Sequence, residues 1–191
     1  MHSRTSSTHD PLRGDSARSD ELILVDPLDR PIGTATKERA HWESLLHRAF
    51  SVVLLREHEG RMQTLLARRA TCKYHAAGLW GNSCCSHPRA GEDLADAAHR
   101  RVREELGCGM SGAHEIGSFV YRAAFSNGLA EYEYDHVLLA TIDGPLAPRI
   151  DEVDAIWWVD AAQLSELLLE YPRIFAPWAL TVLPMALAHM A

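Results

Sequence analysis

A chain of 191 residues, 47% hydrophobic and 24% charged, has enough apolar material for one domain with a sizeable core. Its formal net charge of −7 gives no electrostatic support for wholesale nucleic-acid binding, although a few convergent cations could still hold a phosphorylated small molecule. No apolar run approaches the roughly 18 residues that a membrane-spanning helix needs.

Residues 1–20 are rich in Ser, Arg and Asp and nearly free of large apolar side chains. That composition cannot offset the entropy of ordering, so a disordered tail is expected, followed by a single domain over 21–191. The N-terminus lacks the apolar stretch of a secretion signal. The four cysteines (Cys72, Cys84, Cys85, Cys108) do not form a disulfide framework in a chain this long. Both features point to a reducing cytoplasm.

Glu21–Val25 reads as a short strand, stopped by Asp26-Pro27. His41 and His47 then flank the opening of a longer strand. Ala49–Arg56 and Met62–Arg68 form a hairpin turning at His58-Glu59-Gly60-Arg61. Arg68, Arg69 and Lys73 follow, a cluster that serves either as a solvated face or as the approach to an active-site loop. That loop is Trp80–Pro88, bracketed by breakers, with Cys84 and Cys85 just ahead of His87. The thiols are either small buried apolar residues or a proton donor, nucleophile or metal ligand.

Glu92–Leu106 is the clearest helix, stopped by Gly107. Its period turns Arg101 and Glu105 to the inward half beside Leu94, where a charge must be paired or liganded. Ile116–Phe125 makes a strand carrying Tyr121. In the next strand, Glu131–Ala140, alternation puts Glu131 and Glu133 on one face roughly 7 Å apart, continuing into Val137 and Leu139. Either a cation sits between the two carboxylates, or the strand end frays into water. Val153–Val159 is a last strand, and Ala161–Glu170 and Pro177–His189 are helices, which completes an α+β layered domain. His41, His47, His87, Glu131 and Glu133 together form an oxygen/nitrogen ligand set suited to zinc, manganese or magnesium. No pair of them shows a local metal-binding motif.

Asn82-Ser83-Cys84-Cys85-Ser86-His87-Pro88 resembles the signature loop of the type I isopentenyl-diphosphate isomerase family. The likeness continues in order through Ala40-His41, Leu46–Phe50, Arg68-Arg69-Ala70, Arg103–Gly107, Glu131-Tyr132-Glu133 and Ala176-Pro177-Trp178, covering about residues 21–180. It implies a Nudix fold, an α/β/α layered sandwich with a mixed sheet. A degenerate Nudix box runs from Ser86 to Cys108, with Ser86 in place of the opening glycine and Arg101 in place of a glutamate. A Nudix-type diphosphate hydrolase, the competing reading, would miss part of its magnesium cluster through that change. A non-catalytic metal-binding module is the third.

By resemblance, His41, His47, His87, Glu131 and Glu133 hold one protein-bound divalent metal (Mn2+, Zn2+ or Mg2+). Glu105 holds a Mg2+ ion that also touches the substrate diphosphate. Lys37, Arg69, Lys73 and Arg101 surround that diphosphate. Cys85 and Glu133 form the proton-transferring pair, with Tyr121 beside Glu133, and Trp178 offers its ring to a carbocation-like intermediate. The implied partner is a small prenyl diphosphate, with no nucleic acid and no membrane, and the implied state is a monomer or homodimer. Two features depart from the family pattern. His41 and His47 lie one residue closer together, and Cys84 stands where an aliphatic residue is more usual; register with His87 favours Cys85 as the acting thiol.

Overall fold

The structure, a computed structural model, describes residues 21–73 and 75–190; the expected tail over 1–20 lies outside them. The chain opens with an antiparallel hairpin, β1 (Glu21–Val25) and β2 (Pro31–Thr36), followed by helix α1 (Lys37–Glu43). Asp26 shapes the hairpin turn, its carboxylate accepting from the Leu28 and Arg30 amides at 2.9 and 3.0 Å. Thr36 caps α1 by accepting from Arg39 N, and Ser44 ends it in the left-handed region. Neither β2 nor α1 shows in the pattern of the sequence. β2 is almost wholly exposed, so it has no apolar alternation to display, and α1 is too short for a helical stripe.

β3 (His47–His58) and β4 (Arg61–Arg69) form the expected hairpin, with Glu59 and Gly60 at φ of 50° and 72°. Two consecutive left-handed residues match the twist of the flanking strands. β5 (Trp80–Gly81) and β6 (Cys84–Ser86) are short, α2 (Leu94–Leu106) follows, and β7 (Gly109–Ala124) pairs antiparallel with β8 (Ala130–Asp143). β9 (Val153–Asp160), α3 (Ala161–Glu170), a 3-10 turn at Pro172–Ile174 and α4 (Ala179–Leu187) complete the chain.

β3 is the spine of the sheet. It runs parallel to β8 from His47↔Glu133 to Leu55↔Thr141, and antiparallel to β6 through Ser51↔Cys85 on its other edge. Alternation along β3 builds both cores. Phe50, Val52 and Leu54 pack with Val102 and Leu106 of α2, while Val53 and Leu55 pack with Leu164 of α3 and Val182 and Leu183 of α4. The result is the expected layered α/β/α sandwich around a mixed sheet. Among the described residues no helix is long and apolar enough to cross a membrane.

Some boundaries differ from expectation. β7 begins at Gly109 rather than near Ile116, because register shifts at Ser111/His114 and Glu115/Gly117 break its alternation. The last helix is Ala179–Leu187 rather than 177–189. α2 starts at Leu94, not Glu92, because Asp93 is its N-cap. At the other end Gly107 takes a φ of 68°, and a Cβ there would lie 2.6 Å from the Ala147 carbonyl oxygen. The same junction is bonded twice, with Ala147 N donating to Leu106 O and Arg149 N to Glu105 O at 2.8 and 2.9 Å.

Glu92 lies outside the helix and clamps it. Its carboxylate accepts from Arg100 Nε and Nη2 at 2.7 and 2.8 Å and from the Arg89 amide at 2.9 Å. The Arg100 hydrogen bond holds the Glu92 carboxyl below its ordinary value of 4.5. A carboxylate depressed on folding contributes stability above its unfolded pKa and loses it as pH falls through the folded value. Glu92→Gln is therefore expected to cost about 1 kcal/mol at neutral pH, with the difference from wild type closing under acid. Urea denaturation at several pH values measures this; a gap that stays constant with pH contradicts it.

Candidate active site

Glu131, Glu133 and Asp135 follow one another along the inward face of β8, at 4%, 8% and 2% exposure. The strand end does not fray into water. Three separate elements bring the expected imidazoles to these carboxylates. The parallel register sets His47, first residue of β3, opposite Glu133; α1 supplies His41; and the segment after β6 supplies His87. His41 Nε2 lies 3.0 Å from Glu131 Oε2, and His87 Nε2 lies 2.9 Å from Glu133 Oε1. One ligand atom from each of His41, His47, His87, Glu131 and Glu133 falls within 4.8 Å of all the others.

This donor set fits a divalent metal ion. His47 Nδ1 bonds the Leu45 carbonyl at 2.8 Å, leaving the buried Nε2 to face the carboxylates, 3.6 Å from Glu133 Oε1. Burial opposes a charge on both His47 and His87. On His47 the neighbouring Glu133 carboxylate outweighs it and raises the pKa; on His87 burial prevails and takes it down to about 4. Burial also pushes Glu131 and Glu133 upward, but bonds from His41 and His75 to one, and from His47 and His87 to the other, hold both carboxyls low. Two ionised carboxylates in this interior require positive charge beside them. Protons on the rings and a metal cation are two ways of supplying it.

The remaining expected residues gather around one cavity of about 100 Å3. This is well below the roughly 300–1,000 Å3 of pockets for drug-sized ligands, so it suits a short chain. The Tyr121 hydroxyl donates to Glu133 Oε2 at 2.5 Å. Trp178, 4% exposed, both packs in the core and lines the cavity, with the Arg69 guanidinium 5.2 Å from its ring centre. Arg69 and Lys73 line the cavity, so the solvated-face reading of that cluster fails for them; Arg68 instead pairs with Asp154. Arg101 ion-pairs with Glu105 and, at 2.8 Å, with Glu104. Both alternatives for Arg101 and Glu105 thus hold together, since the pair also borders the cavity. Glu105 stands with Arg101 and apart from the five-residue cluster. A wider groove outside is bordered by Lys37, Lys73, Arg89, Arg100 and Arg101.

Strand alternation separates the thiols. Cys84 packs into the α2-side core, while Cys85 faces the opposite side with Tyr121 and Trp178. Burial raises the pKa of both, so each sulfur keeps its proton at neutral pH. The Cys85 thiol donates to Asn82 Oδ1 at 3.1 Å.

Several residues here escaped the sequence reading. His75 Nε2 lies 2.7 Å from Glu131 Oε1, with its ring against Phe125 at 4.8 Å between centroids. Glu152 pairs with Lys73 and reaches Arg101 at 3.7 Å. Asp135 bonds Ser51. Asp135 was visible in principle, because it continues the Glu131, Glu133 alternation; His75 and Glu152 sit in irregular segments that carry no period.

The layered fold and this cavity define a Nudix domain, and the Nudix domain family model matches residues 45–179. Isopentenyl-diphosphate Delta-isomerase 2 of Photorhabdus laumondii is 45% identical over 159 residues, spanning 82% of this chain and 86% of that one. Isopentenyl-diphosphate Delta-isomerase of Burkholderia multivorans is 46% identical, spanning 83% and 88%. A solved MutT Nudix hydrolase from Burkholderia pseudomallei superposes with a TM-score of 0.57 at 20% identity, covering 73% of this chain and 97% of its own, a likeness of fold alone. The chain belongs to the isopentenyl-diphosphate Delta-isomerase family of Nudix-domain proteins.

His75 occupies the outer oxygen of Glu131, which orients the inner one toward the cluster. Partners of this kind typically affect metal affinity 10–100-fold. His75→Ala is expected to weaken Mn2+ binding by about tenfold or more, read by calorimetric titration. Unchanged affinity would show that Glu131 is oriented without it.

Proposed function

We infer that this protein interconverts isopentenyl diphosphate and dimethylallyl diphosphate. The observation that carries the reading is the composition of one small cavity, where the His/Glu cluster, the Cys85 thiol and the Trp178 ring meet a cation-lined mouth. Shifting a double bond by one carbon adds a proton at one end and removes another from the far carbon, with no net change in protons. Cys85 and Glu133 lie on strands that flank β3 from opposite edges, and they are the groups we assign to the two transfers. One gives a proton while the other takes one, and the roles exchange in the reverse direction. Tyr121, bonded to Glu133, holds that carboxyl in place.

The charge that develops between the transfers is tertiary-cation-like, and water would quench it. Trp178 excludes water and offers a π face, worth about 2 kcal/mol or more when desolvated. Lys37, Arg69, Lys73 and Arg101 are assigned to the diphosphate, for which guanidinium and ammonium groups give charge-assisted hydrogen bonds. His41, His47, His87, Glu131 and Glu133 would hold a divalent ion, with Mn2+, Zn2+ and Mg2+ all compatible with the donors. When bound, such an ion supplies Lewis-acid polarisation of the Glu133 carboxyl. Glu105 would hold Mg2+ that accompanies the substrate. Arg101, at a Nudix-box position where a hydrolase needs a carboxylate, favours a site that leaves the diphosphate intact.

Four free thiols suit a cytoplasmic setting, and we assign the domain to residues 21–191. A monomer or homodimer is compatible with a cavity lined from within this one chain.

Turnover of isopentenyl diphosphate in deuterated water with Mg2+ tests the reading. Deuterium is expected in the dimethylallyl product of wild type and Cys84→Ser, with Cys85→Ser slower by on the order of 10²–10⁴. Phosphate release without exchange would overturn the isomerase in favour of a hydrolase.

A further inference from the structure

The structure assigns Ser51 as the positioning residue for the Cys85 thiol, anchored in turn by Asp135. The inference rests on Cys85 acting in proton transfer, and it adds two residues behind the thiol. The register of β3 against β6 pairs Ser51 with Cys85, so their side chains leave the sheet on the same face. Ser51 Oγ lies 3.4 Å from Cys85 Sγ, within hydrogen-bond reach for sulfur, and either atom can donate. On its other side the Ser51 hydroxyl reaches Asp135 Oδ2 at 2.8 Å. Asn82 Oδ1, at 3.1 Å, holds the thiol from the loop side.

Sulfur is large, weakly directional and free to turn about one side-chain torsion. A thiol that must meet a single carbon of a small substrate gains from being held from two sides. Asn82 alone fixes one direction, and Ser51 fixes the second. Ser51 is wholly buried and belongs to the most enclosed part of β3, so its hydroxyl has a fixed origin. Asp135 explains why that hydroxyl stays aimed. It is 2% exposed, no arginine or lysine bonds it among the described residues, and its carboxylate accepts from the Ser51 hydroxyl. A carboxyl buried this deeply for a single bond to a serine has no evident stabilising value, since an apolar side chain would pack there without desolvation cost. Its role follows from what the serine touches. The line Asp135–Ser51–Cys85–Asn82 thus crosses three strands and the loop before β6, and ends at the cavity through its thiol member.

The test compares wild type, Ser51→Ala and Asp135→Asn, loaded with Mg2+, by steady-state turnover of isopentenyl diphosphate and by the infrared S–H stretch of Cys85. The stretch is identified by its absence in Cys85→Ser. Ser51→Ala removes a single oxygen but also the hydroxyl that bonds the buried Asp135, so some stability is lost; a single cooperative melt with Tm well above the assay temperature shows that the fold is retained. Ser51→Ala is expected to lower kcat about tenfold with KM within about twofold, and to shift the S–H band. Asp135→Asn keeps an acceptor for Ser51 and is expected to fall between the two. An unshifted band in Ser51→Ala, or kcat equal to wild type in an active enzyme, overturns the inference. If wild type neither isomerises nor exchanges while Ser51→Ala still shifts the band, the isomerase reading is refuted and the thiol contact stands.

Discussion

Two like charges side by side in a protein interior are the constraint from which this structure follows. Glu131 and Glu133 point into the domain from alternate positions of β8, where solvent cannot screen them. Each is met by imidazoles, and those imidazoles come from α1, from the first residue of β3 and from the segment after β6. The parallel pairing of β3 with β8 is what places His47 opposite Glu133. A slip of one residue would turn the carboxylates outward and the neighbouring tyrosines inward. The site is therefore encoded in strand register as much as in residue identity.

The cavity next to that cluster resolves an apparent conflict in the composition. The chain carries a net charge of −7, yet the groove outside the cavity gathers lysines and arginines from α1, the loop after β4 and α2. Acidic partners keep these cations in place. Glu152 holds Lys73, and Glu104 and Glu105 hold Arg101. For the diphosphate-binding role we propose, these donors are already oriented, and an anion must displace the internal carboxylates or share the cations with them.

The sequence was most informative where one periodic element carried several functional residues. The face of β8 and the inward half of α2 were both legible, because a strand or helix converts spacing directly into direction. Legibility ended at edges and loops. β2 is almost wholly exposed and leaves no pattern, α1 is seven residues long, and the bulges of β7 disguise its first half. His75 is the sharpest omission, because its tie to Glu131 spans a loop with no period. The choice between Cys84 and Cys85 illustrates the opposite case. Adjacent residues on a strand face opposite sides, so once Cys85 pairs with Ser51 the thiols sort themselves between the two cores.

The cramped end of α2 has a consequence beyond helix termination. Gly107 leaves no room for a side chain against Ala147, and backbone bonds lock residues 105 and 106 to 149 and 147. Glu105 lies at one end of this lock and Glu152, three residues beyond Arg149, at the other; both border the cavity. Two walls that come from distant parts of the chain are thus gauged against each other by main-chain contacts. The width of the opening behaves as a fixed tolerance of the backbone, indifferent to most side-chain variation around it. A lineage could revise the polar lining freely while the aperture kept its dimension, provided that one glycine stayed bare.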